Sequence, residues 1–145
     1  MPYSVTKVEM WTGEISDRVG GLNAVLQAVA AAGGDLQTVV ARRQPHLPGK
    51  GSVFLGPIKG AKSQRAATAA GLSRATDLFV LRVEALNRAG DCARVTGLLA
   101  DAGINLRGLT ANVCGGKYVL ALGFDTEAAA AQAAKLLKSA GGKRK

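Results

Sequence analysis

The sequence predicts an α+β fold made of two copies of one strand–helix–strand–strand–helix unit. Three observations predict it. Hydrophobic periodicity alternates between strand-like and helix-like spacing along the chain. Glycines punctuate the changes of period. The whole pattern occurs twice, at an offset of about seventy residues, and self-similarity of this kind is a first-rank fold signal.

The pattern is cleanest at residues 77–106. Phe79, Leu81, Val83 and Ala85 alternate with more polar partners such as Arg82 and Glu84, as in a strand with one buried face. Asn87-Arg88-Ala89-Gly90-Asp91 reads as a tight loop. Val95, Leu98, Leu99 and Ala102 recur at helical spacing and form one apolar stripe. Gly103 falls where a helix ends on a left-handed residue, and Ile104-Asn105-Leu106 opens the next strand at once. In the first copy, Trp11, Gly13 and Ile15 stand where Leu81, Val83 and Ala85 stand. Asp17-Arg18-Val19-Gly20 matches Asn87-Arg88-Ala89-Gly90, and Val25 and Ala30 match Val95 and Ala100. Gly33-Gly34-Asp35-Leu36 matches Gly103-Ile104-Asn105-Leu106. Loop, helix stripe and helix stop all keep one offset, so chance likeness between two generic units is rejected.

Taken in order, residues 1–4 read as a loose end and residues 5–15 as the first strand. The loop at 16–21 leads into a helix whose stripe is Leu22, Val25, Leu26 and Val29, and Gly33-Gly34 stops it. Residues 36–43 are the second strand. The segment 44–51 holds two prolines and two glycines, which exclude a regular strand and make it a hairpin connection. The third strand spans 52–58, and Pro57 argues that it lies at an edge or that the chain leaves the sheet there. A helix over 61–70 ends at Gly71, and residues 73–77 bridge to the second copy, with a short closing strand allowed. There the strand 78–86, the helix 91–102 and the strands 104–113 and 118–124 follow, the last two joined around Gly115-Gly116. Asp125 is placed to cap the final helix, 126–138, with Ala130, Ala133, Ala134 and Leu137 as its core stripe.

The succession of a strand, Asp/Asn-Arg-x-Gly, a helix and Gly-Ile-Asn-Leu resembles the ACT domain, a small ferredoxin-like module that often binds amino acids and regulates metabolic enzymes. Both copies carry the resemblance, the second more closely, and it covers nearly the whole chain. It implies two ferredoxin-like βαββα repeats with a fourth strand short or absent, at residues 1–75 and 76–140, before a basic tail at 141–145. Each is expected to be an antiparallel sheet with its helices on one face. The resemblance further implies sheets joined edge to edge or packed closely, hence a homodimer, and open strand edges favour such pairing physically. An amino acid ligand and a regulated metabolic enzyme are the partners it suggests; no cofactor is expected.

The loop between first strand and first helix is the best candidate site. Its backbone N–H groups precede a helix N-terminus, so they are donors without intrahelical acceptors and with a positive dipole behind them. A carboxylate is a natural ligand there. Ala89 and Gly90 let a ligand approach the backbone closely. In ACT domains that sense serine, the ligand is held by an asparagine in this loop and another opening the second strand; Asn87 and Asn105 fall on those positions. An amide both donates and accepts, so it can read an ammonium and a carboxylate together. The first copy has Asp17 and Asp35 there, acceptors only when ionised, which as candidate ligand residues would favour a cationic group or else a structural cap; the structural role is the favoured reading. Gly20 and Gly21 complete its loop, and Arg18 and Arg88 read as solvated or loop-bracing. The sequence departs from the family in two ways. The proline usual at the third loop position is Val19 or Ala89, and the Gly-x-Leu kept as Gly20-Gly21-Leu22 becomes Gly90-Asp91-Cys92. Asp91 thus puts an anion at the ligand's carboxylate position or at the helix cap.

Composition bounds the alternatives. Nearly half of the 145 residues are apolar but aromatics are scarce, so the core is built from Val, Leu, Ile and Ala. No apolar run approaches the roughly 20 residues that span a bilayer, and residues 1–6 lack a signal-peptide layout, so the cytoplasm is the expected location and no membrane partner is expected. Cys92 and Cys114 have no metal-ligand spacing and are expected to be reduced, packed thiols. His46 lies between Pro45 and Pro48 in a connection. No phosphate loop, metal spacing or triad is present, so the chain is read as a non-enzyme. The formal net charge is +9, and residues 36–76 contain no acidic residue but do contain Arg42, Arg43, Lys50, Lys59, Lys62, Arg65 and Arg74. That run makes a nucleic-acid or acidic-protein partner the competing reading.

Overall fold

The computed structural model describes residues 3–141, so the expected tail lies outside the described residues beyond Gly141. The chain forms two compact units, one of residues up to Val8 together with those from Thr76 onward, the other Glu9–Ala75. The first strand expected over 5–15 is in fact two strands in two sheets: β1, Ser4–Val8, and β2, Trp11–Ser16. The reason lies in adjacent residues. Met10 and Trp11 are both buried, at 3% and 4% exposure, and neighbours along one strand cannot both face one side. The pleat is therefore broken there.

In the 9–75 unit, β2 leads through the loop to α1, Gly21–Ala31, then β3, Thr38–Arg43, β4, Lys50–Gly56, α2, Ala61–Ala69, and β5, Ser73–Arg74. The sheet order is β3-β4-β2-β5, all antiparallel. β4 is central and ends at Gly56, so Pro57 marks the exit of the chain from the sheet and not an edge strand. The short closing strand is β5, two residues paired with Trp11 and Thr12. Trp11, Val53 and Leu55 from the sheet, Val25 and Val29 from α1, and Ala67 from α2 form the core.

The other unit runs β6, Phe79–Leu86, α3, Asp91–Asp101, β7, Gly108–Cys114, β8, Lys117–Phe124, and α4, Glu127–Gly141. Its sheet order is β1-β6-β8-β7. The fourth strand, expected to be short or absent, comes from the start of the chain: β1 pairs antiparallel with β6 from Ser4↔Glu84 to Val8↔Val80. Tyr3 and Val5 enter its core beside Leu81, Val83, Leu120, Leu122 and Phe124, over Val95 and Leu99 of α3 and Ala130, Ala133 and Leu137 of α4. Each unit is thus a four-stranded antiparallel sheet with two helices contributing to its core, as the βαββα repeat requires.

Local rules explain the helix ends. After α1, α2 and α3 the chain turns on a left-handed glycine, Gly33, Gly71 or Gly103, at φ 85°, 90° and 72°. In each case the next N–H donates back to a carbonyl of the last turn: Gly34 to Val29, Leu72 to Ala67 and Ile104 to Leu99. This double turn satisfies carbonyls that the helix leaves open. Ser63 Oγ adds a bond to the Ala32 carbonyl at 3.0 Å, joining α2 to the end of α1. The cap of α4 is Thr126, whose hydroxyl accepts from the Ala129 N–H at 3.1 Å. The expected cap, Asp125, instead lies 3.8 Å from the Arg107 guanidinium.

Candidate functional site

The loop of the 76–141 unit is pinned at both ends. The Asn87 N–H donates to the Gly116 carbonyl at 2.9 Å, tying the loop to the β7–β8 hairpin. The Asp91 N–H closes the loop on the Arg88 carbonyl at 3.2 Å. Gly90 is left-handed at φ 84°, ψ −4°, a conformation that favours glycine, and it delivers the chain directly into α3. The N-cap position of α3 is Gly90 itself, which has no side chain to offer, and the Arg94 N–H donates to its carbonyl at 2.9 Å.

Between this loop and the edge strand β7 lies an open cavity of about 290 Å³. Asn87, Arg88, Ala89, Gly90 and Asp91 make one wall with Cys92. Ala111, Asn112 and Val113 of β7 make the other, and Tyr118 and Leu120 of β8 make the floor. The floor is buried, at 5% and 0% exposure, and so is Asp91 at 6%. The cavity is therefore lined by an arginine, a buried aspartate, two asparagines and an apolar base. The β7 wall is itself unusually apolar for an edge: Val113 is 60% exposed and Leu109 37%.

Five of the ten residues singled out from the sequence meet at this cavity. Asn105 does not line it; it is exposed in the connection between α3 and β7. In the 9–75 unit, Asp17 accepts from Arg43 Nε at 2.7 Å. Gly20 is left-handed at φ 83°, ψ −3°, the counterpart of Gly90, and Gly21 is packed so tightly that a Cβ there would meet the Ser16 carbonyl oxygen at 2.2 Å. Asp35 is exposed. Sequence reasoning missed the β7 and β8 walls. The signal available was the period-2 phase of β8, which puts Tyr118 and Leu120 on the same face as Leu122 and Phe124.

The cysteines differ from expectation. Both are free thiols, but neither is packed: Cys92 and Cys114 are exposed, one in the first turn of α3 and the other at the end of the edge strand β7. Among the described residues no group of three or more His, Cys, Asp or Glu side chains could hold a metal ion. No helix among them is long and apolar enough to cross a membrane. Of the seven cations in the basic run, three are engaged by acidic groups of the same unit: Arg43 by Asp17, Lys50 by Glu14 at 2.9 Å and Arg74 by Glu9 at 2.5 Å.

No family model matches the chain and no curated protein matches it. Solved structures do. A Bacteroides thetaiotaomicron protein superposes with a TM-score of 0.71 at 13% identity, over 90% of this chain and 88% of that one. The ligand-free regulatory subunit of aspartate kinase from Thermus thermophilus gives 0.65 at 13% identity, over 94% and 97%. The corresponding subunit from Thermus flavus gives 0.60 at 14% identity, over 93% and 95%. At these identities the likeness is one of fold. Together with the two βαββα units and their matched loops, it identifies the chain as having the tandem ACT fold of such regulatory subunits.

Proposed function

We propose that this protein is a non-catalytic regulatory module that binds a small amino acid in the cavity between the Asn87–Asp91 loop and β7. The observation that carries the proposal is the lining itself. Arg88 beside the positive N-terminal end of α3 suits a carboxylate, the Asp91 side chain suits an ammonium, and Tyr118 and Leu120 offer apolar area to a side chain. A free amino acid is the smallest common metabolite with all three features. The aspartate kinase regulatory subunits that share the fold support a regulatory role and a metabolic enzyme as the partner. The uncharged edge strand β7, Gly-Leu-Thr-Ala-Asn-Val-Cys, supports a homodimer, because its outer backbone groups and its exposed Val113 are open to a second copy. Binding would then act by favouring one packing of chains over another, which requires a difference in affinity between the two. We place the protein in the cytoplasm.

The test is a thermal-shift screen against the common amino acids at low and moderate salt. A ligand that binds the native state raises the melting temperature by mass action. A rise with one or a few amino acids, insensitive to salt, is expected. No rise with any of them, alongside salt-sensitive binding of RNA or DNA, would refute the reading in favour of the basic run. That alternative starts with three of its seven cations already neutralised within the unit.

A further inference from the structure

The two units share one loop geometry but not one cavity lining. The correspondence is set by the sheets. In the 9–75 unit Asp17 N–H donates to Gly49, as Asn87 N–H donates to Gly116. Ile15 pairs with Gly51 as Ala85 pairs with Tyr118, and Arg43 pairs with Gly51 as Val113 pairs with Tyr118. Each cavity position therefore has a defined counterpart.

Four of these counterparts change the place. The floor residue Tyr118 becomes Gly51, and the volume is taken by the larger Ile15: a Cβ on Gly51 would already lie 3.0 Å from Ile15 Cγ1. The buried Asp91 becomes Gly21, which has no room for a side chain. The facing walls, Asn87 and Val113, become Asp17 and Arg43, and these two are joined by an ion pair at 2.7 Å. A ligand entering there would have to part the pair and compete with Arg43 for the Asp17 carboxylate, and it would find no aromatic floor.

We infer that the chain takes one amino acid per molecule, in the 76–141 unit, and that the equivalent loop of the 9–75 unit is closed to ligand. This rests on the amino acid reading above and sharpens it into a stoichiometry. The test uses the full chain, uniformly labelled with 15N, and a mixture of the twenty common L-amino acids at millimolar concentration. Amide signals of residues 87–92 and 111–113 are expected to move, while those of 17–22 and 41–43 stay. Movement at 17–22 and 41–43, alone or with the others, would overturn the one-site assignment and leave the amino acid reading standing. No movement at either loop would overturn both. Calorimetry with the amino acid responsible then reads the ratio directly: one per chain is expected, and two would overturn the inference.

Discussion

Replacing Tyr3 by alanine tests the least intuitive feature of the fold, that the start of the chain stabilises a unit formed mainly from residue 76 onward. Tyr3 is 4% exposed in that unit's core, and the Arg94 guanidinium lies 6.0 Å from its ring centroid. Removing a buried aromatic side chain costs about 3–5 kcal/mol, and losing a cation–π contact adds about 0.5–1 kcal/mol. A total of about 4 kcal/mol corresponds to a roughly thousandfold rise in the opening equilibrium. Native-state amide exchange is the suitable measurement, because it resolves the stability of separate cooperative segments. Protection should fall for core strand residues of the 76–141 unit, such as Val83, Leu120 and Leu122. It should hold for Val53 and Leu55 of the other unit, although they are much nearer to residue 3 in sequence. Equal loss in both sheets, or loss confined to Val53 and Leu55, would refute the assignment of Tyr3 and β1.

Three further outcomes are expected. Thr126→Ala should cost about 1 kcal/mol by removing the cap of α4, while Asp125→Ala stays within about 0.5 kcal/mol of wild type; denaturant melts distinguish them. Gly97→Ala, inside α3 with no atom within 4 Å of the new Cβ, should stabilise by about 0.5–1 kcal/mol, whereas Gly21→Ala, facing a carbonyl at 2.2 Å, should destabilise by about 1–3 kcal/mol in the same melts. A thiol reagent should label both Cys92 and Cys114 in the folded protein, and the bound amino acid should slow the reaction at Cys92, which lines the cavity, more than at Cys114.

Most of the fold is legible in the sequence because its signals are local. The glycine stops at Gly33, Gly71 and Gly103 need only one turn of helix to act, and the stripe Ala130, Ala133, Leu137 needs only one face. The errors fall where the deciding contact is remote. Residues 5–15 look like one strand because Val5, Val8 and Trp11 are all strand-forming or apolar; the break shows only as two adjacent buried residues, Met10 and Trp11. That β1 belongs with β6 is a pairing across more than seventy residues, which no window of periodicity contains. The candidate site divides in the same way. Its loop residues, 87–91, are read from a motif, while Asn112, Val113, Tyr118 and Leu120 reach it only through the register of β7 on β8. Thr126 outcompetes Asp125 as cap by one position, a margin that helix-end signals do not resolve.

The pairing of β1 with β6 also sets an order of events during synthesis. Residues 9–75 are contiguous and contain every strand of their own sheet, so this unit has all its parts as soon as it leaves the ribosome. Residues 4–8 are made first, yet their partners, Val80 to Glu84, emerge more than seventy residues later. At roughly 5–20 residues per second that is an interval of several seconds or more. Throughout it, a strand carrying Val5 and Val8 waits for its β6 partner, and the sheet it finally completes is assembled after the other unit already has all its strands.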